Sequence, residues 1–279
     1  MTLCFFVSDI HGWRERYEKL FREIEIEKPN VLFLGGDLLP ANFFSLDFTT
    51  DFLIKKFLLL KERLGKDYPT VFLILGNDDP KSEEEDIIGG ETLGLWVYLN
   101  NRKSNVGEYE IYGYSYVPPT PFLLKDWERF DVSRFVDVGS VSPLEGRRTF
   151  PTEEREIRTA TIKDDLDQLV HNADVSKSIF LFHAPPYQTN LDRANLDQKM
   201  VEYAPMDVHV GSIAIKRFIE TKQPYITLHG HVHESSSVTG QWREKIGSTH
   251  LFSAAYDGPE LAIVKFYLEE PSSAYRIIK

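Results

Sequence analysis

"LCFFVSDIHGWRERYEKLFREI", residues 3–24, changes its periodicity halfway along, and that change decides the fold class. Residues 3–7 are an unbroken apolar run, which fits a strand covered on both faces rather than one. From Trp13 the apolar residues Trp13, Tyr17, Leu20, Phe21 and Ile24 fall at helical spacing, with Arg14, Glu15, Arg16, Glu18 and Lys19 between them. Between strand and helix lies Ser8-Asp9-Ile10-His11-Gly12, a short junction carrying a carboxylate and an imidazole. The unit then recurs. After Pro29-Asn30 a second apolar strand, residues 31–34, runs into Gly35-Gly36-Asp37; residues 47 to about 64 follow as a helix; and a third strand, residues 69–75, ends at Gly76-Asn77-Asp78-Asp79. Strands separated by helices imply right-handed parallel crossovers, and such sheets bind ligands at the carboxyl ends of their strands.

The chain has 279 residues, 42% hydrophobic and 27% charged, so it reads as one globular domain with insertions rather than a disordered segment. Its formal net charge of −11 argues against a surface that binds nucleic-acid backbone without sequence preference. Cys4, the single cysteine, lies within the first apolar run; this excludes a disulfide framework or a cysteine zinc site and points to a reducing, cytoplasmic setting. The N-terminal apolar run is too short for a signal peptide or a membrane span, so a soluble protein is expected.

Beyond residue 100 the texture changes. Residues 105–117 suggest a hairpin with Tyr112, Tyr114 and Tyr116 on one face. Residues 118–150 then form an irregular stretch opened by Pro118-Pro119-Thr120-Pro121, expected to be an insertion over one end of the domain, with Trp127, Phe130 and Phe135 as its own core. A helix is expected over residues 159–172, a buried strand over 178–183 ending in His183, a short helix over 212–220, and a strand over 225–228 leading into His229-Gly230-His231-Val232-His233. Residues 238–278 alternate short apolar runs with turns, as antiparallel strands do.

Five strand ends thus carry Asp9-x-His11, Gly36-Asp37, Gly76-Asn77-Asp78, His183 and Gly230-His231-x-His233. Carboxylate, imidazole and amide oxygen together suit divalent metals of intermediate hardness. In this order the motifs resemble those of the calcineurin-like metallophosphoesterase superfamily, and "FHAPPYQTNLD" and "LHGHVHES" are similar to its small prokaryotic branch. The resemblance implies a four-layer α/β/β/α sandwich of two mixed sheets with the site at the strand ends. It also implies two divalent ions, one held by Asp9, His11 and His233, the other by Asn77, His183 and His231, with Asp37 bridging. Manganese or iron fits imidazole better than magnesium does; zinc, nickel or cobalt are further options. The implied activity is hydrolysis of a small phosphate ester by in-line attack of metal-bound hydroxide. Alternatives are a nuclease of the same superfamily, or a binding or scaffold protein on this fold.

The superfamily often has a histidine after the motif asparagine, where this chain has Asp78. An aspartate beside two cations stays ionised and makes a poor proton donor, so the expected substrate is an aryl or nucleotide-type phosphodiester rather than an alkyl monoester. His209 is a second candidate, as a pocket-wall residue or proton donor. His229 is read as structural, residues 83–86 as a solvated acidic face or helix start, and Asp79 as shaping its turn.

Overall fold

The computed structural model describes residues 1–40 and 47–279. In β1 (Leu3–Val7), Phe5 and Val7 pack among helix side chains such as Tyr17 and Leu20, while Cys4 and Phe6 enter a second core. A strand with both faces covered has no position left for a polar residue, which is why the sequence runs apolar without a break. Parallel to β1 lie β2 (Val31–Gly35), β3 (Thr70–Ile74) and β4 (Val97–Tyr98), connected through α1 (Arg14–Glu27), α2 (Lys55–Leu64) and α3 (Glu84–Thr92). The helix expected from residue 47 begins as a wide π-helical segment, Phe48–Ile54, before tightening into α2.

The expected hairpin lies about three residues earlier than predicted, as β5 (Arg102–Val106) and β6 (Tyr109–Tyr114). Tyr116 therefore falls past the strand end, yet all three tyrosines are buried in one core. After the irregular stretch come α4 (Glu154–Thr159), α5 (Ile162–Val170) and β7 (Ser178–Phe182). The helix expected over residues 159–172 is α5, which starts only at Ile162 because the Thr161 side chain accepts from Asp164 N, at 3.0 Å, and caps it; Thr159 ends α4. A two-residue ladder, β8 (Met200–Val201) with β9 (Ala204–Pro205), precedes α6 (Ile213–Lys222), β10 (Ile226–His229) and α7 (Ser235–Thr239). The chain closes with β11 (Arg243–Ile246), β12 (Thr249–Ser253), β13 (Ala262–Tyr267) and β14 (Glu270–Ile278).

Apart from β8 and β9, these strands form two six-stranded sheets, ordered β14-β13-β1-β2-β3-β4 and β11-β12-β10-β7-β6-β5. The core between them takes Cys4, Phe6, Phe33 and Phe72 from one sheet and Ile111, Ile179, Leu181 and Leu228 from the other. The helices cover the outer faces, giving the α/β/β/α sandwich. The C-terminal strands are antiparallel in pairs as expected, but the pairs divide between the sheets. Strand β12 also lies parallel to β10, whereas β13 crosses over to β1. Among the described residues no helix is long and apolar enough to cross a membrane.

Residues 118–150 hold isolated bridges but no helix or multi-residue strand. Their anchors are polar. Trp127, fully buried, donates from Nε1 to Asp79 O at 2.9 Å; Lys81 N donates to Asp126 Oδ2 at 2.9 Å; and Asp131 accepts from Ser212 Oγ and Ile213 N at 2.6 Å each, capping α6. Inside the stretch, Lys125 Nζ lies 2.5 Å from Glu128 Oε2 and donates to Thr120 O at 2.9 Å, with both charged side chains fully buried. Trp127 and Phe130 are buried, but Trp127 joins the main core of the domain rather than a core of the stretch's own, and Phe135 is 71% exposed, because no neighbouring element covers it.

Candidate metal centre

The parallel strands β1, β2 and β3 of one sheet and β7 and β10 of the other release their chains at one end of the sandwich, and every motif residue sits there. Backbone geometry is unusual at this end. Asp9, His11, Asp37 and His231 have φ of 56°, 51°, 52° and 73°, a left-handed conformation that L side chains rarely adopt. Such strain persists only where surrounding bonds over-determine it. Here they do: Asp9 N donates to Gly36 O at 3.0 Å, His11 N to Asp37 O at 2.8 Å, and His231 N to Asp9 Oδ1 at 2.9 Å. Gly36 must lack a side chain, since a Cβ would stand 2.6 Å from His183 Nδ1.

The side chains converge in two groups that share one residue. Asp9, His11, Asp37 and His233 present atoms within 4.8 Å of one another, as do Asp37, His183 and His231. His11 Nε2 lies 3.0 Å from His233 Nε2, and His233 Nε2 lies 3.3 Å from Asp9 Oδ1. On the other side His183 Nδ1 must donate to Gly35 O, at 2.8 Å, because a carbonyl can only accept. In the neutral ring that leaves a lone pair on Nε2, facing Asn77 Oδ1 at 3.0 Å and Asp37 Oδ2 at 3.3 Å. Three acceptors around one point are served by a proton on Nε2 or by a metal cation.

Electrostatics point the same way. Asp9 and Asp37 are almost wholly buried, and no lysine or arginine among the described residues forms an ion pair with either. Burial opposes their charge, yet the surrounding imidazoles hold Asp9 well below the usual carboxylate range and Asp37 at about 2. The reciprocal effect, again against burial, raises His183 to about 10 and His233 to about 9. His231 goes the other way, to about 3, through burial first and the neighbouring His183 charge second. The protein's own groups thus supply positive charge to the carboxylates as protons. A donor set of carboxylate, imidazole and amide oxygen fits divalent ions in the same place.

The seven residues expected as ligands are together. Asp78 adjoins them: its N–H donates to Asp37 Oδ1 at 2.8 Å, its Oδ1 accepts from Asn77 Nδ2 at 3.0 Å, and its Oδ2 lies 3.6 Å from His11 Nδ1. Burial first and Asp37 second push its carboxyl up to about 7, whereas two divalent ions would pull it down again. His209 stands apart; its Nδ1 pairs with Asp192 Oδ1 at 2.7 Å, and among the described residues no hydrogen bond or ion pair joins it to the seven. His229 is structural, fully buried with Nδ1 donating to Ala184 O at 2.9 Å and Nε2 accepting from Thr227 Oγ1 at 2.8 Å.

Sequence reasoning missed three supports. Arg16 in α1 donates to Asp9 O at 2.7 Å and Gly258 O at 2.6 Å; Ser8 Oγ donates to Asp9 Oδ2; and Asp79 accepts from Leu39 N at 2.7 Å and Gly76 N at 2.9 Å. For Asp79 the signal was its place in the third motif. For Arg16 there was none, because its partners lie at opposite ends of the chain.

The fold is that of the metallophosphoesterases. The chain superposes on TT1561 of Thermus thermophilus at 14% identity, covering 99% of this chain and 98% of that one with a TM-score of 0.57. It is also similar to a dimetal phosphatase from Danio rerio, at 11% identity, 95% and 92% coverage and a TM-score of 0.54. No curated protein matches it in sequence. Residues 4–235 match the family model for calcineurin-like phosphoesterases, and the chain belongs to that family, whose members are metal-dependent phosphoester hydrolases.

Proposed function

We propose that the chain hydrolyses small phosphodiesters of aryl or nucleotide type on two divalent ions, manganese or iron by preference. Asp9, His11 and His233 hold one ion, Asn77, His183 and His231 the other, and Asp37 both. The observation that carries this reading is the convergence of His183 Nε2, Asn77 Oδ1 and Asp37 Oδ2 beside a second donor group, Asp9, His11 and His233, that shares Asp37; a proton on His183 serves the first three atoms without metal, and a divalent ion can take its place. Two ions there would neutralise phosphate oxygens and acidify an attacking water. The chain's own groups do the rest. Gly35 O orients His183 through Nδ1, Arg16 and Ser8 hold Asp9 in its left-handed turn, and the Asp78 N–H holds Asp37. Asp78 also supports the preference for diesters. Its carboxylate opposes a doubly charged monoester more than a singly charged diester.

The test is metal analysis with an activity panel on the purified chain. About two transition ions per chain are expected, with hydrolysis of bis(p-nitrophenyl) phosphate that His231→Ala abolishes while the protein stays folded. A folded protein that retains no metal and cleaves no phosphate ester with manganese, iron, zinc or magnesium would overturn the proposal.

A further inference from the structure

Hydrolysis of an ester with a poor leaving group needs a proton on the departing oxygen. Asp78 is a weak source of it: its carboxylate already accepts from Asn77 and lies beside His11. A second candidate lies on the chain that follows β7. Asp192 is fully buried, and its two oxygens accept from Thr189 N and Gln188 N at 2.9 Å each, from Gly211 N at 3.1 Å, and from His209 Nδ1 at 2.7 Å. A carboxylate on Nδ1–H fixes the tautomer and turns the ring. The His209 side chain is 27% exposed, and its Nε2 has no hydrogen-bond partner among the described residues.

The pair is tied to the metal-site end of β7. Ser212 N donates to Pro185 O at 2.9 Å, two residues beyond His183, and Tyr187 N donates to Ser212 O at 3.0 Å. A Cβ on Gly211 would lie 2.6 Å from Pro185 O and 2.8 Å from Asp192 Cβ, so the backbone beside His209 is pressed directly against that strand exit. Tyr187, whose ring centroid lies 6.1 Å from that of His209, and Asp207, which accepts from Tyr187 Oη at 2.6 Å and from His209 N at 2.8 Å, complete the surroundings.

We infer that His209, oriented by Asp192, is the general acid of the proposed hydrolysis, with Asp192 as its positioning residue; this rests on the phosphodiesterase reading above. As the water oxygen forms its bond to phosphorus it releases a proton to solvent, the bond to the leaving oxygen breaks, and its electron pair stays on that oxygen. The oxygen then takes the proton from His209 Nε2. The ring is left neutral, with Nδ1–H still on Asp192, and solvent reloads Nε2.

The experiment compares bis(p-nitrophenyl) phosphate, whose leaving group departs readily as an anion, with methyl phenyl phosphate, whose more basic phenoxide gains more from protonation. His209→Ala should lower kcat on methyl phenyl phosphate by roughly 100- to 1000-fold and on the nitrophenyl ester by less than about tenfold. Added imidazole should restore part of the first loss. Asp192→Asn should show the same selectivity, and if it fails to fold, His209→Ala with imidazole rescue stands alone. Equal losses on both esters, no loss, an effect on KM alone, or a native protein that cleaves only the nitrophenyl ester would each overturn the assignment. A native protein that cleaves neither ester with any metal overturns the phosphodiesterase reading, and this inference with it.

Discussion

Asp79 does more than close a turn. Its carboxylate takes Leu38 N at 3.2 Å, Leu39 N at 2.7 Å and Gly76 N at 2.9 Å, so it holds the loop bearing Asp37 to the loop bearing Asn77. Asp79→Ala strands three buried N–H groups and should cost on the order of 3 kcal/mol by urea denaturation, since each unsatisfied group costs about 1–3 kcal/mol. Its neighbour Asp78 controls selectivity instead. Replacing Asp78 by His removes a negative charge and adds a proton donor, so the ratio of alkyl monoester to bis(p-nitrophenyl) phosphate turnover should rise at least about tenfold. A native protein faster on the alkyl monoester than on the diester would contradict the role given to Asp78. Both residues were visible in "GNDD", and the motif already set Asp78 at the site and Asp79 in the turn; that Asp79 clasps two loops was not visible, because its partner Leu39 lies in another motif.

At the level of elements, the strand-to-helix alternation of the first 80 residues was legible because each strand is buried on both faces. Boundaries were less so. The π-helical start before α2 and the Thr161 cap depend on which backbone groups find partners, and periodicity carries no record of that. Pairing across the chain was invisible too. Lys265 of β13, 2% exposed, reaches Glu23 of α1 at 3.1 Å and also bonds Glu27, joining the first helix to a C-terminal strand. Burial opposes the Glu23 charge, but Lys265 and Lys279 hold its carboxyl below the ordinary range. A depressed carboxylate stabilises the fold above its unfolded pKa, and that stability is lost as pH falls through the folded value. Stability measured from pH 6 to about 3 should therefore decline less steeply in Glu23→Gln than in the native chain.

For the whole molecule, two sheets meeting at their carboxyl ends build the site, while the apolar core is formed elsewhere. Chelation should consequently leave the far-UV circular dichroism unchanged, with protons on His183 and His233 serving Asp9 and Asp37. It should nevertheless lower Tm by several degrees, as expected for losing a ligand worth about 3 kcal/mol at a hundredfold excess over Kd. Loss of secondary structure on chelation would mean that the ions are part of the folding core.

By itself the sequence determined the α/β class, the five polar strand ends and the seven donors, because apolar periodicity and residue type are local properties. Only the tertiary structure decided that Asp79 clasps two loops, that Phe135 lies open, and that His209 answers to Asp192. These depend on which distant segments share one end of the sandwich. The left-handed turns at Asp9, His11, Asp37 and His231 belong here as well. Unfavourable in isolation, they are held by hydrogen bonds between motifs as much as 222 residues apart.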